Sequence, residues 1–532
     1  MLIIGAVIKA CWTLPPNCAT IHIRVNVPNS ASPSARASII PVRKLPPLTA
    51  TWSTRAQPVA RCMAARSSMD RTNGRTAITS PRQYVRSAPP DRARWRSAYT
   101  AAQTREAKLG RGARWSRMKV LLSAYACEPG KGSEPAVGWG WALALARRGH
   151  RVTVLTRANN RPVIEGAASA TRGLPITFAY CDPPAWIGWW KKARRGIHLY
   201  YLLWQWCAYR RAKRLHAGVG FERVHHVTFA SMRQPSFLGG LGIPFVFGPV
   251  AGGDWCPPKL MASAHWRYRL YERLLPFASR LSLFDPLVRR TLRQATAIYS
   301  NTASTLRLVP ARYRHKTRVR LAVGWDDADD VFAPPRDGER DRELPLRVLF
   351  VGRLVPLKGL HLALAAFAAY VSSAPGAELT VVGAGPDGAR LARAATRLGI
   401  AGRVHWRGAL LRRELAAVYR SHDLLLFPSL RDSGGMVVLE AFASGLPVVC
   451  LDIAGPGAIV DETCGIAVAA DGDEAEVVRA LATALHRLAD DERLRRRLVV
   501  GGFAALARLR WDTRIAEVER DLEVLDSGTD AG

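Results

Sequence analysis

The sequence is short of acid, of cysteines at paired spacings and of long apolar runs. Its 532 residues carry 42 Asp and Glu against 77 Lys and Arg, a formal net charge of +35. The nine cysteines are an odd number and none stand in CxxC or CxxH spacing. Neither a disulfide framework nor a zinc site is therefore indicated, and a reducing cytoplasm is the simplest compartment. No run of about 18 apolar residues occurs, so no transmembrane helix is expected. The GKGS at 130–133 is not a phosphate loop, because no Gly-Lys-Ser/Thr follows a glycine at the required distance.

What is present is 48% hydrophobic content with scattered charge, in a chain long enough for two or three domains with good cores. The charge is uneven. Residues 1–117 carry a net +17, half the excess in about a fifth of the chain. That segment is rich in Arg, Ser, Pro and Ala and has no helical or strand period, so it is expected to be a disordered extension. The apolar run Leu2 to Ile8 lacks the basic flank of a signal peptide. No aromatic-plus-glycine module accompanies the charge, so nucleic acid is not an expected partner. Met118 opens MKVLLSAY, a clean strand, and is the expected start of the working protein.

From Met118 the pattern alternates. A strand at Lys119 to Tyr125, a helix at Val137 to Arg148 and a strand at Arg151 to Thr156 make a βαβ unit, which argues a parallel sheet. Further strands are expected at Phe221 to Thr228, Phe245 to Pro249 and Ala297 to Ser300. Trp186, Trp189 and Trp190 sit beside Lys191, Lys192, Arg194 and Arg195, a composition suited to an anionic membrane interface. The helix after them, Ile197 to Leu215, is expected to pack on the sheet through Leu199, Leu202, Leu203 and Trp206. His225 and His226 point to opposite faces of their strand. The glycine-rich GPVAGGDW (248–255) is expected to face a cleft. Asp326, Asp327, Asp329 and Asp330 form an acidic cluster, and the Pro-rich, charged 333–345 reads as a linker.

In the second half a strand at Leu346 to Val351 runs into Gly352-Arg353-Leu354, then Pro356, Lys358 and Gly359. Cations at the C-terminal end of a parallel strand face the crevice where α/β ligands bind. Gly383, Gly385 and Gly388 spell the GxGxxG of a dinucleotide site. No Asp or Glu lies between Asp387 and Glu414 to hold a ribose, so a dehydrogenase is disfavoured. Asp423 to Phe427 is an apolar strand, Ser429 to Gly435 a loop, Met436 to Ser444 a helix and Leu446 to Leu451 the next strand. A loop feeding a helix N-terminus offers free N–H groups and a positive dipole end, which suits a phosphate. Two carboxylates, Asp432 and Glu440, flank it.

Pro428, Ser429, Glu440, Ala441, Gly445, Pro447 and Val448, with the Gly-Arg-Leu…Lys-Gly upstream, resemble the signature of family 4 glycosyltransferases, retaining enzymes of the GT-B fold. The family's first Glu is replaced by Asp432, one methylene shorter. The resemblance runs from about Met118 to the C-terminal helix, roughly four-fifths of the chain. It implies an α/β GT-B architecture of two Rossmann-like doubly wound domains facing across a cleft. These are an acceptor-side domain at 118–335, a linker at 336–345, a donor domain at 346–510 and a helix at 511–532 returning to the first domain.

It also implies a nucleotide diphosphate sugar as donor substrate, no catalytic metal and no other cofactor, which sets the Asp326–Asp330 cluster aside. On this reading Arg353 and Lys358 neutralise the diphosphate, as do backbone groups of Gly435, Met436 and Val437. Glu440 takes the ribose and Asp432 the donor sugar. Either His225 or His226 reaches the sugar or acceptor, or both are core. Gly138 either approaches the donor phosphates or the acceptor, or is a turn glycine. The acceptor is a hydroxyl of a glycan or lipid-linked glycan, as in polysaccharide or lipopolysaccharide assembly. It would be met at the cytoplasmic face of an anionic membrane. Two readings stay open beside it: another GT-B activity such as a sugar-nucleotide epimerase, and a non-catalytic sugar-nucleotide-binding partner, suggested by the Glu-to-Asp change.

Overall fold

The structure is a computed structural model, and it describes residues 117–184, 196–326, 332 and 346–529. The basic extension before Arg117, the Trp-Lys-Arg stretch 186–195, Asp327, Asp329, Asp330 and the expected linker 336–345 lie outside the described residues.

Short apolar runs bounded by turn residues form two all-parallel sheets. The first contains β1 (Lys119–Ser123), β2 (Arg151–Thr156), β3 (Ile176–Tyr180), β4 (Arg223–His226), β5 (Phe245–Val250), β6 (Ala297–Ser300) and β7 (Thr317–Val319). Their spatial order is 3-2-1-4-5-6-7. The second contains β8 (Arg347–Val351), β9 (Glu378–Val382), β10 (Val404–Gly408), β11 (Leu424–Phe427), β12 (Val448–Leu451) and β13 (Gly465–Val468), in the order 10-9-8-11-12-13. The chain thus has the expected GT-B class, two doubly wound Rossmann-like domains. In such sheets the winding reverses at one point, and ligands bind beyond the strand ends there. The reversals fall between β1 and β4 and between β8 and β11.

The principal helices are α1 (Glu134–Arg147), α2 (Ile197–Val219), α3 (Trp266–Ser282), α4 (Pro286–Gln294), α5 (Leu360–Val371), α6 (Gly388–Arg397), α7 (Arg412–Arg420), α8 (Met436–Ala443), α9 (Glu474–Asp490), α10 (Glu492–Arg508) and α11 (Trp511–Thr529). Helix α1 starts three residues before the expected Val137, with Pro135 in its first turn, where its missing N–H costs nothing. The buried stripe of α2 differs from expectation. Tyr201, Trp204, Gln205, Ala208 and Ala212 are buried, whereas Leu199 and Trp206 are each 49% exposed. The small Ala208 and Ala212 let the helix approach the sheet, and Trp204 Nε1 donates to the Cys181 carbonyl at 2.8 Å.

Helix α11 closes the first domain's core although it ends the chain. Trp511, Ile515, Val518 and Leu522 pack in one cluster with Val120, Trp141 and Tyr299. A Cβ on Gly140 or Gly324 would lie 2.0 or 2.6 Å from the Trp511 ring, so both glycines exist to seat the indole. Ion pairs fasten the rest of the helix, Glu519 to Arg148 at 2.5 Å, Asp521 to Arg320 and Asp526 to Arg223, and His150 Nε2 lies within hydrogen-bond distance of Glu519 Oε1 at 2.8 Å. Replacing a buried Trp by Ala removes apolar area and leaves a cavity. Trp511→Ala is expected to lower unfolding free energy by about 3–5 kcal/mol, read from urea denaturation. A loss below about 1 kcal/mol would show that α11 does not complete this core.

Candidate functional site

The second sheet's reversal point builds the site from two loops, one after β8 and one after β11. After β8 the chain passes Arg353, which is exposed, and makes a single turn at Pro356–Lys358. Gly359 has φ +69, and a Cβ there would lie 1.8 Å from the Pro428 carbonyl. Only glycine lets this turn lie on the β11 exit. Ser429 Oγ and Leu430 N then both donate to the Leu357 carbonyl, at 3.2 and 2.9 Å. This is why Pro428-Ser429 and Lys358-Gly359 occur together: they fasten the two loops side by side. The result aims Lys358 Nζ at Asp432 Oδ2, 2.5 Å away.

The other oxygen of Asp432 accepts from the Gly434 and Gly435 N–H groups, both at 3.0 Å. Burial by itself would raise the Asp432 pKa. The Lys358 ammonium and the two N–H donors outweigh it, and the carboxyl lies below its ordinary value. Gly435 (φ +73) caps α8 in the left-handed region. The expectation that the Gly435 N–H faces a phosphate is corrected, because Asp432 already occupies it. The N–H groups of Met436 and Val437, in the first turn of α8, have no intrahelical acceptor and point along the positive helix end. One turn further, Glu440 is 6% exposed; it accepts from the Tyr419 hydroxyl at 3.2 Å and from Arg412 Nη1 at 3.4 Å. Gly132 faces it from the first domain: a Cβ there would lie 3.8 Å from Glu440 Oε1 and from Met436 Cγ.

The first domain holds the same loop from the opposite side. Arg431 Nη1 donates to Glu272 Oε2 of α3 at 2.7 Å, with Glu272 buried. Asn301, at the end of β6, donates through Nδ2 to the Ser433 carbonyl. Ser433 Oγ donates to Asp254 Oδ2 at 3.4 Å, and Thr302 Oγ1 to Asp254 Oδ1 at 2.7 Å. Burial raises the Asp254 carboxyl despite these donors. Asp254 lies in the glycine-rich 248–255 loop that was expected to face the cleft. Glu272, Asn301, Arg431, Arg412 and Tyr419 carried no motif in the sequence.

Three expected site residues are placed elsewhere. His225 and His226 lie inside β4, opposite Leu122 and Ser123 of β1, and both are 2% exposed. His225 Nδ1 accepts from Trp141 Nε1, and burial drives its pKa well below the ordinary value. His226 Nε2 is 2.8 Å from the Tyr201 hydroxyl, and burial lowers its pKa to about 4. Helices cover both faces of a parallel sheet, so alternation buries both imidazoles; neither faces the cleft. Gly138 is the fifth residue of α1, buried, with its Cβ position 2.2 Å from the Ala126 carbonyl. It permits close helix–strand packing and does not approach a phosphate. Gly383 and Gly385 similarly seat the β9 exit on the carbonyls of Gly352 and Leu354, which accounts for the GxGxxG without a dinucleotide. Asp326 pairs with Arg147 at 3.0 Å. The non-glycine residues of positive φ among the described residues are Ser133, Phe229 and Ala454. Ser133 is the N-cap of α1, and Phe229 and Ala454 follow the ends of β4 and β12.

A sequence profile described as "Glycosyl transferases group 1" matches residues 345–491. The D-inositol 3-phosphate glycosyltransferase of Rhodococcus erythropolis is 39% identical over 379 residues, 66% of this chain and 78% of that protein. The protein of the same name from Acidothermus cellulolyticus is 28% identical over 465 residues, 79% of this chain and 94% of that one. Among solved structures, a sucrose-phosphate synthase from Thermosynechococcus elongatus matches at TM-score 0.54 and 20% identity, over 77% of this chain and 100% of that one. Anabaena HepE in complex with UDP matches at 0.50 and 17%, with the same coverage. At these identities the structures show the fold.

The depressed Asp432 pKa carries a pH signature. A carboxylate held below its unfolded value of 3.8 contributes stability that is fully present above that value and is lost as pH falls through the folded pKa. Asp432→Asn is therefore expected to destabilise by about 1–3 kcal/mol at neutral pH. The difference from wild type should shrink below pH about 4, measured by urea midpoints across pH. A difference independent of pH would remove the charged pair from the account.

Proposed function

The chain belongs to the group 1, family 4-like glycosyltransferases, and on that premise we propose that it moves a sugar from a nucleotide diphosphate to an acceptor hydroxyl with retention. The observation that carries the reading is the meeting of Lys358, Asp432 and the N-terminus of α8 at the reversal point of the second sheet, with Arg353 exposed on the same β8 exit. The diphosphate lies against the Met436 and Val437 N–H groups. Arg353 and Lys358 neutralise it, the planar guanidinium as a bidentate donor and the ammonium as a point charge. As the sugar–phosphate bond breaks, negative charge grows on the leaving oxygen and the anomeric carbon becomes oxocarbenium-like. Donors already oriented at that oxygen stabilise the transition state more than the ground state. Glu440 accepts from the ribose hydroxyls.

Asp432 has a second task on this reading. An ionised carboxylate offers about four lone-pair sites, and Lys358, Gly434 and Gly435 use three of them. The remaining site takes a donor-sugar hydroxyl. No metal is needed, because two cations and a helix terminus already oppose the diphosphate.

For the acceptor we favour a glycan or lipid-linked hydroxyl of cell-surface polysaccharide or lipopolysaccharide synthesis. The relatives' names favour a second reading, a small phosphorylated polyol. Release of UDP, GDP or ADP from a panel of nucleotide sugars identifies the donor. Running the successful donor with a lipid-linked glycan and with D-inositol 3-phosphate separates the two acceptors. Failure to turn over any donor with either acceptor would favour a binding protein. Arg353→Ala and Lys358→Ala are each expected to lower kcat/KM about 30-fold or more, about 2–5 kcal/mol for a charge lost in a closed site. Glu440→Ala should weaken nucleotide diphosphate binding, measured by calorimetry. Unchanged kinetics in any of these variants would remove that residue from the site.

A further inference from the structure

Helix α3 buries one face and leaves the opposite one bare. Glu272, Leu275, Ser279 and Ser282 are buried. Trp266, Leu270, Leu274, Phe277 and Leu281, with Phe284 just beyond the helix, are exposed; Trp266, Phe277 and Phe284 reach 59%, 67% and 68%. Their spacings of four, four, three, four and three residues place them in one stripe along the helix, about 25 Å long at 1.5 Å per residue. Single exposed apolar residues are ordinary, whereas a contiguous stripe marks a contact surface.

The charge beside the stripe is mostly positive; the acid next to Phe284, Asp285, is half-buried and accepts from the Leu287 and Val288 N–H groups as the cap of α4. Arg267, Arg269, Arg273 and Arg280 are exposed on α3, and Arg289 and Arg290 follow on α4. The only acid on α3 is Glu272, buried against Arg431. We propose that the Trp266–Phe284 face docks the first domain on an anionic phospholipid surface. Apolar rings entering the headgroup boundary between arginines that meet lipid phosphates are the composition of an interfacial helix. A second copy would set arginine against arginine across the contact. The chain's own residues 1–117 carry +17 and are repelled for the same reason. The 186–195 stretch, expected from sequence to meet the membrane, is a separate segment outside the described residues.

The placement suits the site. Glu272, on the buried side of α3, holds the residue next to Asp432. One helix diameter, about 10–12 Å, therefore separates the docked face from the loop proposed to hold the donor. A lipid-borne acceptor would arrive at that loop without leaving the surface; this last point alone rests on the lipid-linked reading above.

The test is co-sedimentation of the full chain with phosphatidylcholine vesicles, with and without phosphatidylglycerol. Wild type should sediment with the anionic vesicles and not with the neutral ones. Leu270→Gln, Leu274→Gln, Phe277→Ser and Phe284→Ser combined should abolish this while leaving the melting curve intact, since all four side chains are exposed. Arg273→Gln with Arg280→Gln should lower partition onto anionic vesicles about 30-fold and flatten its salt dependence. Several outcomes would overturn the proposal. They are absence of wild-type binding, undiminished binding by the folded apolar variant, loss of binding only when Trp186, Trp189 and Trp190 are replaced, or a wild-type dimer that the apolar variant dissolves. Donor hydrolysis without vesicles reads the proposed chemistry separately. It should be equal in wild type and α3 variants, and its failure in wild type would strike that chemistry and leave docking untouched.

Discussion

The Asp432 carboxylate accepts from Lys358 Nζ at 2.5 Å and from the N–H groups of Gly434 and Gly435 at 3.0 Å. One side chain thereby ties the β8 exit to the β11 exit and sets the direction in which α8 begins. Aspartate suits this task through its shortness: its oxygens reach the N–H groups two and three residues on, a local turn that Asp forms readily. The methylene missing relative to the family's glutamate is thus matched by a loop drawn close around the carboxylate. Lys358 is held by this contact in the crevice where a diphosphate is expected to meet it, and the ammonium would then be shared between two anions.

The loop that Asp432 organises is also the loop that the other domain grips. Glu272 binds Arg431, Asn301 binds Ser433 and Asp254 meets the Ser433 hydroxyl, so the first domain holds the residues on both sides of Asp432. Apolar contact joins them nearby, since Cys256, Leu260, Met261 and Ala264 of the first domain pack in the second domain's core cluster. A change in domain separation therefore acts directly on the loop that Asp432 organises. The buried ion pair matters here for position more than for stability, because desolvating two charges offsets most of their attraction.

The architecture was legible wherever one residue pattern has one physical solution. Apolar runs such as Leu424–Phe427 and Val448–Leu451, closed by Gly and Pro, are buried parallel strands. Gly359 and Gly435 mark positions where a Cβ or a negative φ does not fit. Orientation was less legible. A period of two says that His225 and His226 face opposite ways, but not that helices seal both faces. The buried stripe of α2 lies two residues out of phase with Leu199, Leu202, Leu203 and Trp206, on nearly the opposite face, because the small Ala208, not the large Trp206, is the residue that lets the helix approach. The sequence leaves Gly138 open between a ligand-facing and a turn glycine, because nothing local shows that Ser133-Glu134-Pro135 already starts the helix. The pairing of Glu272 with Arg431 spans 159 residues and leaves no local signal at all.

The most direct measurement is a crystal structure of the chain with an intact nucleotide diphosphate sugar. The β-phosphate should lie within hydrogen-bond distance of the Met436 and Val437 N–H groups, with Lys358 and Arg353 on its oxygens, Asp432 on a sugar hydroxyl and Glu440 on the ribose. A diphosphate bound away from the N-terminus of α8, or a Lys358 that remains on Asp432 alone, would contradict the account.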